Sequence, residues 1–188
     1  MEKKIENYLN CHITELSKLK VNEIKEGIEL ITKAISNSMS IYICGNGGSA
    51  HIAAHYVTDW SKMYYQYKKE RVNIFSLSDN IGVVTAYGND ISFKEIFSQQ
   101  VESNMKKDDL LICISGSGNS ENVINAAKAA RKLNANILGV IGYGGGALKN
   151  FCTKSVISHS MDMQLCEDIS HIFGHLVMKE ICDLDTCE

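Results

Sequence analysis

The sequence predicts an α/β fold: a five-stranded parallel sheet flanked by helices, a three-layer flavodoxin-like or Rossmann-like arrangement, preceded by two helices. Three observations predict it. Short unbroken apolar runs such as Ile41-Tyr42-Ile43-Cys44 and Leu110-Leu111-Ile112-Cys113-Ile114 read as strands buried on both faces. They alternate with amphipathic or alanine-rich stretches, the rhythm of a parallel sheet. Two of the strands run directly into glycine-rich loops that open helices.

In chain order, residues 3–18 and 22–38 carry apolar stripes at helical spacing, Ile5, Leu9, His12, Ile13 and Leu16, then Ile24, Ile28, Ile31 and Ile35. Helices placed before the first strand either pack on another subunit or cover the sheet. Ile41–Cys44 is the first strand and 50–64 the next helix. Val72–Leu77 is a second strand. Residues 79–103 read as two short helices separated around Gly88-Asn89-Asp90, a turn signal. Asp108–Ile114 is the third strand, followed by a helix from Ser120 to Leu133. Ile137–Ile141 is the fourth, ending in Gly142-Tyr143-Gly144-Gly145-Gly146 and a short helix. Ser155–Ser158 is a short fifth strand, and 163–183 a long closing helix. The 188 residues are read as one domain.

Composition narrows the partners. A net charge of −3 argues against a general nucleic-acid surface. No apolar run reaches the ~18 residues needed to span a bilayer, and Met1–Glu6 lacks the apolar core of a secretion signal. The expected location is the cytoplasm. Seven cysteines with irregular spacing and no C-x-x-C pair fit reduced, buried thiols.

The chemistry concentrates in two loops. Ser115-Gly116-Ser117-Gly118-Asn119-Ser120 follows a buried strand and opens a helix. Such a loop offers converging backbone N–H groups, serine hydroxyls and a positive helix end, the make-up of a phosphate socket. Cys44-Gly45-Asn46-Gly47-Gly48-Ser49 has the same style. No Gly-Lys-Ser/Thr follows it, and Ser78 stands where a ribose-binding acid would end the second strand. A small phosphomonoester therefore fits better than a nucleotide. Arginine occurs only at 71 and 131, so no arginine close in sequence to either loop grips the phosphate.

Two further stripes stand out. His51, His55 and Asp59 are four apart on one helix face, and Glu167, His171 and His175 repeat that spacing on the closing helix. Such stripes could form a metal site or an acid–base pair, or be solvated polar faces.

Taken together, the Cys44–Ala50 loop, the His55 helix, Gly88-Asn89-Asp90, the Ser115–Ser120 loop and the Glu167/His175 helix resemble a sugar isomerase (SIS) domain. Within that superfamily the chain resembles the phosphoheptose isomerases, and the resemblance covers nearly all of it. It implies a homotetramer with active sites at subunit interfaces, in which 1–38 packs between subunits. It implies that Ser49, Ser115, Ser117 and Ser120 hold the sugar phosphate, with Asn46, Gly47, Asn89, Asp90 and Glu167 also around the substrate. It implies a divalent metal, usually zinc, at His55, Asp59, Glu167 and His175, with His51 and His171 as second choices. It makes Asp59 the base and His175 the acid or proton shuttle.

The chain departs from the family pattern at several positions. Asp59 stands for a glutamate, Glu167 for a glutamine, Met63 for an arginine, Gly116 for a threonine and Gln164 for an aspartate. The implied reaction is aldose–ketose isomerisation of a sugar phosphate, sedoheptulose 7-phosphate foremost. A non-catalytic phosphosugar-binding regulator and an isomerase of another sugar phosphate are the alternatives.

Overall fold

The computed structural model describes residues 1–185; Cys187 lies outside them. Five parallel strands form one sheet: β1 (Ile41–Cys44), β2 (Ile74–Ser76), β3 (Leu110–Ser115), β4 (Asn136–Ile141) and β5 (Lys154–Ile157). Their order is β2-β1-β3-β4-β5. The chain leaves β1 toward one edge and β3 toward the other, so the loops after these two strands diverge and open a crevice at the carboxyl ends. Both glycine-rich loops flank that crevice.

Among the described residues, seven α-helices surround the sheet: α1 (Glu2–Lys18), α2 (Val21–Ser36), α3 (Gly48–Lys68), α4 (Ile81–Asp90), α5 (Ser98–Asn104), α6 (Glu121–Lys132) and α7 (Met163–Ile181). Strand side chains alternate between two core layers. Ile41, Ile43, Leu110, Ile112 and Val140 pack with Ile31, Ile52, Trp60, Phe173 and Val177 from α2, α3 and α7. Leu111, Cys113 and Ile137 pack with Val101, Val123, Ala126 and Ala130 from α5 and α6. The alanines let α6 lie close to the strands.

Two expectations need correction. Two helices do form over 79–103, but they part just after Gly88-Asn89-Asp90, which forms the last turn of α4. The helix ends at Ile91, and a 3-10 turn (Phe93–Glu95) leads into α5. The helix expected over 50–64 spans Gly48–Lys68 instead, because Gly47 itself starts it from a positive φ of 54°. Helix α1 buries only Glu15, while Ile5, Leu9 and Ile13 face outward. Covering the sheet falls to α2, whose Gly27, Ile31 and Ala34 are buried. Among the described residues, no helix is long and apolar enough to cross a membrane.

Candidate active site

Helices α3 and α7 pack through two large buried aromatics. Trp60 Nε1 donates to the Gly174 carbonyl at 3.0 Å, and the Tyr56 hydroxyl donates to the Ser170 carbonyl. The two rings stack with centroids 4.7 Å apart. Burial pushes the Tyr56 phenol far above its ordinary pKa, so it stays a donor. Each histidine stripe sits one residue away from these anchors: 55 and 59 beside 56 and 60, 171 and 175 beside 170 and 174. One residue is a rotation of about 100° on a helix, which carries both stripes to the same margin of the packed face.

There His55, Asp59 and His175 come together. His55 Nε2 lies 3.0 Å from His175 Nε2 and 3.4 Å from Asp59 Oδ2; His175 Nε2 lies 3.8 Å from Asp59 Oδ2. A tetrahedral zinc with bonds of about 2.0–2.1 Å sets its ligand atoms about 3.4 Å apart. The triangle matches that edge, and two neutral imidazoles with one carboxylate are a suitable donor set. The cluster is partly open to solvent. His171 joins its edge, with its ring centroid 5.3 Å from that of His55. Burial first, then His55 and His175, hold the His171 imidazole below its ordinary pKa. His51 turns away, its Nδ1 3.1 Å from the Gly47 carbonyl.

The serines meet elsewhere in the crevice. Asn46, Ser49, Ser115, Gly116, Ser117, Ser120, Met163 and Glu167 line one cavity of about 260 Å³. Ser115 Oγ accepts from Gly118 N at 3.1 Å, and Ser117 Oγ from Asn119 N at 3.1 Å. Each hydroxyl therefore holds its loop through a lone pair and keeps its proton for a ligand. Ser120 is the N-cap residue of α6 but makes no side-chain cap bond, so its hydroxyl is also available. An anion here meets hydroxyl donors and a helix N-terminus.

Asn46 and Asn122 bind each other reciprocally, amide to amide, with both distances 2.8 Å. This pair ties the first loop to α6. Sequence reasoning missed Asn122, because nothing local distinguishes it from any other polar residue in a first helical turn. It also missed Met163, whose thioether rests against Gly116.

Glu167 lies apart from the triad. Its carboxylate occupies the space a side chain at Gly48 would need, with Oε1 2.2 Å from an ideal Cβ there. It therefore belongs to the serine cavity. Asn89 and Asp90 are exposed at the end of α4, bonded to each other at 2.9 Å, and line neither cavity nor triad.

Chemically, the crevice offers a donor-rich anion cavity and, along α3 and α7, an imidazole–carboxylate cluster suited to proton transfer or to a divalent cation.

Comparison with known proteins agrees. The chain matches the SIS domain family over residues 6–142. It is 34% identical over 186 residues to a phosphoheptose isomerase of Helicobacter hepaticus, covering 98% of this chain and 92% of that one. It is 35% identical over 168 residues to a phosphoheptose isomerase of Clostridium acetobutylicum, covering 87% and 81%. The structure of the phosphoheptose isomerase from Neisseria gonorrhoeae superposes with a TM-score of 0.88 at 26% identity, covering 97% of this chain and 99% of that one. With its sheet order, its serine cavity and these likenesses together, the chain belongs to the SIS-domain family and, within it, to the phosphoheptose isomerases.

Proposed function

We propose that this protein converts sedoheptulose 7-phosphate to D-glycero-D-manno-heptose 7-phosphate through a cis-enediol. The observation that carries the reading is one pair of helices, α3 and α7, that lines a donor-rich anion cavity and also carries an imidazole–carboxylate cluster. A sugar phosphate needs both: one to anchor it, one to move its protons.

Ser49, Ser115, Ser117 and Ser120 hold the phosphate, so binding energy at the far end positions the reacting carbons. Asn46 and Gly47 shape the first loop around it. Asp59 turns Oδ2 toward the imidazoles and uses its other oxygen as the base. It takes a proton from C1 of the ketose and returns it to C2. His175 gives a proton to the C2 oxygen and receives the one from the C1 hydroxyl. The C1–C2 double bond of the enediol forms and then collapses to the C1 aldehyde, and protons balance over the cycle. His55, Asp59 and His175 would hold zinc, while Glu167, the fourth ligand the family resemblance implies, sits apart in the serine cavity. Bound there, zinc supplies Lewis-acid polarisation of the carbonyl.

The outward stripe Ile5, Leu9 and Ile13 of α1 supports assembly through residues 1–38 of this single domain into a homotetramer in the cytoplasm. The exposure of Asn89 and Asp90 fits a role at a boundary between subunits.

The test is proton NMR of sedoheptulose 7-phosphate with the full chain in D2O, with and without a chelator. Deuterium at the carbon next to the carbonyl, with aldose product, is expected. Loss on chelation and return with zinc make the metal essential. No exchange by folded, zinc-loaded protein refutes the reading.

A further inference from the structure

The serine loop holds two glycines for different reasons. Gly118 has a positive φ of 64°, a conformation that side chains rarely adopt. Gly116 has no such φ, so its backbone would accept any residue. What excludes a side chain there is Met163. An ideal Cβ on Gly116 would overlap the Met163 Sδ and lie 3.1 Å from its Cε. The loop has no room to retreat, because the Gly116 carbonyl is packed against Gly142, where an added Cβ would overlap it. The start of α7 is fixed as well: the Asp162 side chain accepts from Gln164 N at 2.9 Å and from Leu165 N at 3.3 Å. Gly116 and Met163 both line the serine cavity. The thioether therefore stands where a side chain at 116 would reach a ligand.

We propose that Met163 is a determinant of ligand binding in the phosphate cavity: its thioether takes the place of a side chain at Gly116 and closes that side of the cavity with an apolar wall. The inference rests on the phosphate reading above. A thioether donates no hydrogen bond. The phosphate thus meets the hydroxyls of Ser115, Ser117 and Ser120 along this loop and only van der Waals contact at 116. Positions 116 and 163 act as one unit. A hydroxyl at 116 crowds the thioether into the cavity while Met163 is present, and becomes a further donor to the ligand once Met163 is removed.

The experiment is calorimetric titration of the full chain with sorbitol 6-phosphate, a phosphomonoester with no carbonyl to isomerise, with the melting temperature of each variant recorded. Gly116→Ser in the parent is expected to weaken binding at least about fivefold, through overpacking. The same substitution in Met163→Ala is expected to tighten binding about tenfold, the worth of a charge-assisted hydrogen bond. If Gly116→Ser does not fold by itself, the comparison of Met163→Ala with the double variant decides: no gain in affinity there overturns the inference. An effect of Gly116→Ser with the same sign in both backgrounds overturns it, as does a coupling present in melting temperature but absent from affinity. Ser120→Ala separates the two levels of the argument. If the parent binds no sorbitol 6-phosphate, or Ser120→Ala binds it as the parent does, the phosphate reading itself falls, and this inference with it.

Discussion

The ring of Tyr56 fills the space that a side chain on Gly174 would need, with Cε1 2.0 Å from where that Cβ would sit. This exclusion fixes how closely α3 and α7 approach, and so how far His55 lies from His175. Gly174→Ala should force the helices apart. We expect a loss of about 1–3 kcal/mol in stability from overpacking, measured by denaturant unfolding, together with weakened Co2+ binding. A variant of unchanged stability and metal affinity would show that the crossing is set by other contacts.

Asp59 should separate chemistry from binding. Asp59→Asn keeps the shape but not the basicity. Turnover should fall by about 10²–10⁴-fold, the usual worth of a positioned base. Binding of the sugar phosphate, followed calorimetrically, should persist, because the serines are untouched. Full activity in this variant would remove Asp59 from its role.

The loop serines should differ from one another. Ser120 makes no cap bond, so Ser120→Ala should cost a charge-assisted hydrogen bond, about 1.5–3 kcal/mol in ligand affinity, with little change in stability. Ser115 is buried and accepts from Gly118 N. Ser115→Ala should therefore lower both affinity and melting temperature. Equal melting temperatures for the two variants would contradict this division.

His12 should make the docking of α1 depend on pH. Its Nδ1 lies 3.1 Å from the Tyr8 carbonyl, and its Nε2 lies 2.6 Å from Asp168 Oδ2, which also accepts from the Tyr8 hydroxyl. The Tyr8 carbonyl first, then Asp168, raise the imidazole pKa, while burial opposes them. A raised folded pKa stabilises fully below the unfolded value of about 6.5 and fades as pH rises through the folded value. The melting-temperature gap between the parent and His12→Gln should be widest in mild acid and close in alkali. A gap constant with pH would deny the linkage.

Much of this was legible in the sequence, for identifiable reasons. Strands such as Leu110–Ser115 are buried on both faces, and unbroken apolar runs announce that. The loop serines are contiguous, so their shared cavity needed only one strand-to-helix turn. The His55–Asp59 spacing placed both on one face. What pairs across the fold was not legible. Asn122 meets Asn46 and Glu167 meets Gly48 only because β1 and β3 are neighbours and α7 returns over them. The Gly88-Asn89-Asp90 turn was misread because glycine and asparagine close a helix as readily as they break one. Gly88 has its nearest neighbour, Ile96, 3.7 Å from a built Cβ, so nothing there forces an earlier end. Of the departures, Met63 on α3 packs its apolar side chain against the core; nothing in the fold explains Gln164.

The reciprocal amide pair of Asn46 and Asn122 has an evolutionary consequence. Replacing Asn122 leaves both the Nδ2 and Oδ1 of Asn46 without this partner, and replacing Asn46 strands the Asn122 Nδ2, whose Oδ1 still accepts from Val123 N, at a cost of about 1–3 kcal/mol where the group is buried. Any lineage that changes one position passes through a penalised intermediate unless the other changes with it. Positions 46 and 122, far apart in the chain and outside the proton-transfer chemistry, should therefore be inherited and exchanged as a unit.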